Sequence, residues 1–170
     1  LNPKACAARM KAMAEEAGLS FNIAVVDGDD LLPRVSDFAK AGVKELYKGD
    51  DFPAIEDVAS MNAYLGAGPI ASALAAGADV VITGRVVDSA LTLGPLMHEF
   101  GWADDDWNKL SAGSLAGHII ECGAQGSGGL FTDWEDVPDW AHIGYPIVEC
   151  EADGTFIVTK PAGTGGLITP

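Results

Sequence analysis

Asp79-Val80-Val81-Ile82-Thr83-Gly84-Arg85 decides the fold. Four β-branched residues in a row, closed by a glycine, predict a strand buried on both faces, the kind that parallel sheets use. Just before it, Pro69 to Ala76 reads as a helix. Further upstream, Phe21 to Val26 is a second apolar run, stopped by Asp27-Gly28-Asp29-Asp30. A third strand is expected within Ile55 to Tyr64, leading to Leu65-Gly66-Ala67-Gly68-Pro69. Helices are predicted over 3–17 and over Pro33 to Ala41. In the first, Asn2 suits the N-cap, Pro3 the first turn and Gly18 the stop, while Cys6, Met10, Met13 and Ala17 recur at helical spacing. Downstream, residues 87–100 are apolar on most faces and predict a buried helix. Acidic Ala103 to Asp106 leads into another that continues through Ala112 to Cys122. Finally, Ile147 to Glu151 and Thr155 to Thr159 alternate about Asp153-Gly154, a hairpin signature. The alternation predicts an α/β fold: a mostly parallel sheet with helices on both faces, plus a C-terminal β-hairpin region. Residues 1–129 would be the core and 130–170 an irregular stretch and the hairpin.

The charge sets limits on partners. The 170 residues (17.6 kDa) carry 25 acidic and 10 basic side chains, a net −15 with pI ≈ 4.2. Nucleic acid and anionic membrane surfaces both demand a basic face, so neither is expected as a partner. No apolar run reaches the roughly 18 residues of a membrane-spanning helix. Hydrophobic residues make up 48% and mean hydropathy is +0.18, which excludes a disordered chain despite the charge. Cys6, Cys122 and Cys150 are odd in number and far apart, with no CxxC pair, so a reducing, cytoplasmic setting is expected. No leader pattern opens the sequence. Leu1-Asn2-Pro3 reads as a helix start, and the last residues lie in a glycine-rich loop. Together they predict an internal fragment of one α/β domain.

Ligands of open α/β sheets sit at the carboxyl ends of the strands. Three such ends here are polar, and parallel strands would bring them to one edge. The first offers Asp27, Asp29 and Asp30, which could hold a divalent cation or sugar hydroxyls, because hard cations prefer carboxylate oxygen. A solvated turn with Asp30 capping the next helix is the plainer alternative. The second offers Asn62. The third offers Arg85 and Asp88. A guanidinium there can grip a carboxylate or phosphate bidentately, or simply pair with Asp88. Farther on, His118, Glu121 and Cys122 fall in Gly117-His118-Ile119-Ile120-Glu121-Cys122-Gly123. Helical spacing puts His118 and Cys122 on one face, as an activated nucleophile pair or two metal ligands would need. A buried structural cysteine is the competing reading. Seven of the 21 glycines fall in two short clusters, at 123–129 and 163–166. Gly126, Gly128, Gly163 and Gly165, with Lys160 beside the second cluster, could offer amides and a charge to an anion such as a CoA phosphate. Neither cluster matches a Walker A or a dinucleotide fingerprint. The four tryptophans after residue 100 read as packing residues, and His98 and His142 carry no motif.

Several of these stretches share one family resemblance. Val26-Asp27-Gly28-Asp29-Asp30-Leu31, Asn62-Ala63-Tyr64-Leu65-Gly66 and Val81 to Asp88 resemble the acyclic terpene utilisation (AtuA-like) family. So do Ala112 to Gln125, Thr159-Lys160-Pro161 and Gly163-Thr164-Gly165-Gly166. The likeness runs in order over essentially the whole chain and looks like the middle of the family's N-terminal domain. Asp27 departs from the glutamate expected in many relatives and keeps the negative charge. The resemblance implies a bacterial-type cytosolic protein of citronellol and geraniol breakdown, a pathway that works on CoA thioesters. The leading expectation is therefore a protein that binds or acts on a small anionic ligand: a branched acid or its CoA thioester. The competing expectations are a non-catalytic subunit or ligand carrier of that pathway, with a homo-oligomer or pathway subunit as partner, and a metal-dependent hydrolase using a divalent cation.

Overall fold

In the computed structural model, which describes residues 2–169, the Asn2 side chain accepts from the Ala5 amide at 3.0 Å and Pro3 opens helix α1 (Pro3–Glu16). Gly18 ends it with φ +70°. The chain then divides into two units, one of Leu1–Pro69 with Ala73–Val87 and one of Ile70–Ser72 with Asp88–Pro170.

The first unit is built on a parallel strand pair. Strand β1 (Ile23–Val26) lies beside β2 (Val80–Thr83) in the register Ile23↔Val80 to Val26↔Thr83. A parallel pair needs a long crossover. Here it contains a 3₁₀ turn (Leu32–Arg34), α2 (Val35–Lys40), a second turn (Ile55–Asp57) and α3 (Gly68–Ala75). Helix α1 packs on both strands and buries Ala14. Its Met13 stays 53% exposed, so the methionine stripe that marked the helix in the sequence is not its buried face.

The expected mostly parallel sheet is met only in part: among the described residues the parallel pair is two strands wide. No strand forms over 55–64. Glu56 and Asp57 sit in the 3₁₀ turn, and the stretch has no run of apolar residues long enough to be covered on two faces. Instead, residues 61–65 cross the strand ends. Asn62 forms an antiparallel bridge with Asp30, and Leu65 a parallel bridge with Val86. The other edge, along β1, has no described partner strand. The carbonyls of Asn22 and Val26 face β2, accepting from Asp79 and Gly84 at 2.8 and 2.9 Å. Alternation along the strand therefore turns Ile23 and Val25 to the far edge.

In the second unit, helix α4 (Ala90–Phe100) packs against α5 (Trp107–Glu121). Small residues make the contact. Ala90 and Gly94 are buried on α4; Gly113, Ala116 and Gly117 are buried on α5. The expectation of a wholly buried α4 is corrected too, since Leu91 is 57% exposed. Strands β3 (Ile147–Cys150) and β4 (Phe156–Thr159) form the expected antiparallel hairpin. In its turn Asp153 accepts from both the amide and the hydroxyl of Thr155, and Gly154 takes φ +93°. Buried Trp102 ties the turn to the end of α4 by donating to the Ala152 carbonyl at 2.9 Å.

The helix contact leaves no space for a methyl. A Cβ on Gly117 would lie 2.7 Å from the Ser89 carbonyl oxygen and 2.9 Å from Ser89 Cα. Backbone cannot step aside as a side-chain tip can. Alanine gains about 1 kcal/mol of helix propensity, against about 1–3 kcal/mol for overpacking. Gly117→Ala should therefore lower the stability of the second unit by about 1 kcal/mol. Unfolding followed by tryptophan fluorescence checks this, because Trp102, Trp107, Trp134 and Trp140 all lie in that unit. A gain in stability would show that the two helices can move apart.

Candidate functional site

The best-formed polar arrangement lies at the carboxyl ends of β1 and β2, where three segments meet. Asp29 follows β1, Arg85 follows β2, and Asn62 belongs to the crossing segment between them. Asp29 is buried, at 5% exposure. Its Oδ2 accepts from the Arg85 backbone amide at 2.8 Å and from Asn62 Nδ2 at 3.0 Å. These bonds, the Arg85 amide foremost, hold the Asp29 carboxyl below its ordinary pKa. The Asp29 carbonyl accepts from Ala63 at 2.8 Å, and the Leu31 amide donates to Met61 at 2.8 Å. The carboxylate is thus a three-way clasp.

One residue that carried no role in the sequence makes the clasp fit. A Cβ on Gly84 would fall on the Asp29 carboxylate. A glycine after a strand is a detectable signal, but what it makes room for emerges only when the strands pair.

The Asp29 carboxylate engages the Arg85 amide and leaves the guanidinium unpaired. The guanidinium lies over the Tyr64 ring, 5.4 Å from its centroid, and forms no ion pair with a described carboxylate of its unit. Tyr64 also had no assigned role, although its i+2 spacing from Asn62 in an extended segment puts the two on one side. The ring restrains the cation without neutralising it. What results is an exposed, oriented positive charge on an acidic chain.

The other candidate residues part company. Asp27 pairs with Lys4 at 2.6 Å, and this contact holds the Lys4 pKa above its ordinary value. Asp30 accepts from the Leu32 amide at 3.0 Å. Lys4, Asp27, Asp29 and Asp30 line an open hollow of about 330 Å³, yet the three carboxylates face three different partners and do not converge as a cation's donor set. Among the described residues, no group of three or more His, Cys, Asp or Glu could hold a metal ion. Asp88 lies in the second unit, in the turn before α4.

His118, Glu121 and Cys122 sit at the end of α5, and His118 and Cys122 are both exposed. The thiol donates to Glu121 Oε1 at 2.7 Å. Among the described residues His118 forms no hydrogen bond to either neighbour. The Glu121 hydrogen bond, with further contributions from desolvation and from the Glu121 and Asp88 charges, raises the Cys122 pKa, which favours thiol over thiolate. Glu121→Gln should let it fall and speed alkylation by iodoacetamide near pH 8 roughly two- to fivefold. A pH–rate profile checks this; an unchanged profile would show that the carboxylate does not control the thiol.

The glycine clusters are folded onto themselves. Residues 123–127 form a 3₁₀ turn, after which Gly128 donates to Gln125 and Gly129 to Ala124. Gly165 donates to His142 at 2.9 Å, and Gly166 to Pro138 at 2.8 Å. Gly163 is an open turn residue with φ +75°. Lys160 donates to the Thr164 carbonyl at 2.9 Å, so it braces its own loop.

No described helix is long and apolar enough to cross a membrane. Comparison with known proteins gives one match. The acyclic terpene utilisation family, described as "Acyclic terpene utilisation family protein AtuA", fits residues 1–170. No curated protein and no solved structure matches the chain. A family match over the whole length is decisive: the chain belongs to the acyclic terpene utilisation family AtuA, and so to acyclic terpene utilisation.

Proposed function

We propose that the chain binds the anionic end of an acyclic terpenoid acid, or of its CoA thioester, through the Arg85 guanidinium. One observation carries the reading. In a chain of net charge −15, Arg85 is held by its backbone amide on Asp29 and by its cation on Tyr64, with no carboxylate of its unit against it. A free guanidinium at the carboxyl ends of parallel strands is suited to carboxylate or phosphate. The family supplies the terpenoid part of the ligand. The test is titration of Arg85→Ala with geranate and with inorganic phosphate, against the unaltered chain.

The bound ligand is either turned over, with Cys122 as nucleophile, or only carried, and Cys122 favours the carrier. Its pKa is raised and His118 does not engage it, so the arrangement lacks the base–nucleophile contact that covalent catalysis uses. Iodoacetamide inactivation separates the two readings. An enzyme acting through Cys122 loses turnover on alkylation, whereas a carrier keeps its ligand affinity.

A further inference from the structure

Three hollows among the described residues have charged walls. The one beside α1 includes Lys11, the one at 27–30 includes three carboxylates, and the one at 132–136 includes Asp133, Glu135 and Asp136. A hollow of about 370 Å³ in the second unit differs, with no charged residue among the described residues of its lining. Leu130, Phe131, Leu167 and Ile168 supply its apolar walls, and Gln125 and Thr169 its polar side chains. Leu130 is 72% exposed and Phe131 45% exposed, so two large apolar side chains stand in water at its rim.

Part of its backbone is already engaged. Gly128 donates to Gln125, Phe131 to Gly128 and Leu167 to Ser127, at 3.3, 3.1 and 2.8 Å. The buried Ser127 hydroxyl beneath donates to the Gly144 carbonyl. Those three amides are therefore not free for an anion, and no cationic side chain among the described lining residues would hold one. Gly128 also fixes the wall: at φ +105°, a Cβ there would be strained and would press on both Val137 methyls at 3.1 Å. What remains is an uncharged lining of four large apolar side chains, two neutral polar ones and glycine backbone. Its volume lies at the low end of ligand sites, about 300–1,000 Å³. That suits one short chain and not the charged nucleotide of CoA.

We infer that this hollow holds the branched hydrocarbon chain of an acyclic terpenoid, with its oxygen at Gln125 or Thr169. The ligand class rests on the terpenoid reading above, while the site itself does not depend on Arg85.

The probe is geraniol, which has the chain and no charge, titrated into the full chain and followed by amide chemical shifts. The amides of Gly126, Gly128, Phe131 and Leu167 should move and saturate. Leu130→Asp, which puts a charge at an exposed rim position, should weaken binding roughly tenfold. Phe131→Ala should weaken it roughly threefold to tenfold. An otherwise unchanged spectrum shows that each variant is folded. Equal affinity in Leu130→Asp, or saturating shifts confined to other residues, overturns the hollow while leaving the terpenoid reading standing. Tighter binding of straight-chain decanol than of geraniol overturns the branched-chain ligand assigned to this hollow, while the Arg85 reading stands or falls on the geranate titration. No binding of either alcohol overturns the hollow alone, because geranate titration against Arg85 is read independently.

Discussion

Asp29→Ala is expected to destabilise the first unit by about 2–3 kcal/mol. The substitution deletes the acceptor for two donors, the Arg85 amide and Asn62 Nδ2, at a site only 5% exposed. A donor left without a partner there costs about 1–3 kcal/mol. Both donors reach the same oxygen, Oδ2, so Asp29→Asn can set its carbonyl oxygen there and lose only the charge, and a smaller loss is expected. The pH dependence follows from the carboxyl's lowered pKa. A group with a depressed folded pKa contributes stability above its unfolded value, near 3.9 for aspartate. That contribution is lost as pH falls through the lower folded value. The gap between the native chain and Asp29→Asn should therefore be full at pH 7 and close progressively below about pH 4. Hydrogen exchange at the Ile82 and Gly84 amides measures it within the first unit, where tryptophan fluorescence is silent. Gly84→Ala adds a control, since its Cβ would displace the same carboxylate. The double variant with Asp29→Ala should lose less than the two single losses added, because removing the carboxylate makes room for the methyl. Full additivity, or equal stability of all variants at pH 7, would show that the clasp does not hold the strand ends together.

The parts that could be read in advance are those where local chemistry admits one answer. Val80 to Thr83 is β-branched throughout and bounded by Asp79 and Gly84, so it is a strand in any context that covers it. Asp153-Gly154 fixes the hairpin because its turn chemistry is internal: the Asp153 side chain holds Thr155, and Gly154 supplies the positive φ. Residues 55–64 defeated the same approach. A strand was expected within Ile55 to Tyr64, but Glu56 and Asp57 sit in a 3₁₀ turn, and the segment keeps only single bridges at Asn62 and Leu65. Strand number depends on partners, which no local pattern specifies. Asn62 arrives on a crossing segment that is not the strand expected there, whereas the meeting of Asp29 and Arg85 was legible from the rule that parallel strands align their carboxyl ends. How they meet was not. Whether Asp29 faces the Arg85 amide or its guanidinium turns on the missing side chain at Gly84. The glycine run at 123–129 taught a related lesson. Glycine content announces turning backbone, but the direction of the amides decides between anion site and closed turn, and here Gly128 and Gly129 point back to Gln125 and Ala124.

Arg85→Ala should weaken geranate and phosphate binding roughly tenfold to a hundredfold, with the melting temperature within a few degrees of the unaltered chain. The split follows from which part of Arg85 does what. Its amide serves the fold through Asp29, and alanine retains that amide. Its guanidinium is exposed and free of any carboxylate of its unit, so its loss leaves no buried charge behind. Arg85→Lys should recover only part of the affinity, because an ammonium is a point charge and cannot fork onto two oxygens. Tyr64→Ala should cost roughly twofold to fivefold, since the ring orients the cation through a contact worth about 0.5–1 kcal/mol. Because the site is exposed, affinity should also fall as salt rises, and the slope should flatten in Arg85→Ala. Unchanged affinity in that variant would remove Arg85 from the binding site. A matched fall in affinity and melting temperature would instead assign the whole residue to the fold. The lysine variant settles the chemistry: full rescue would mean that charge alone is read, whereas partial rescue would identify the planar, two-oxygen grip that a carboxylate or phosphate head group calls for.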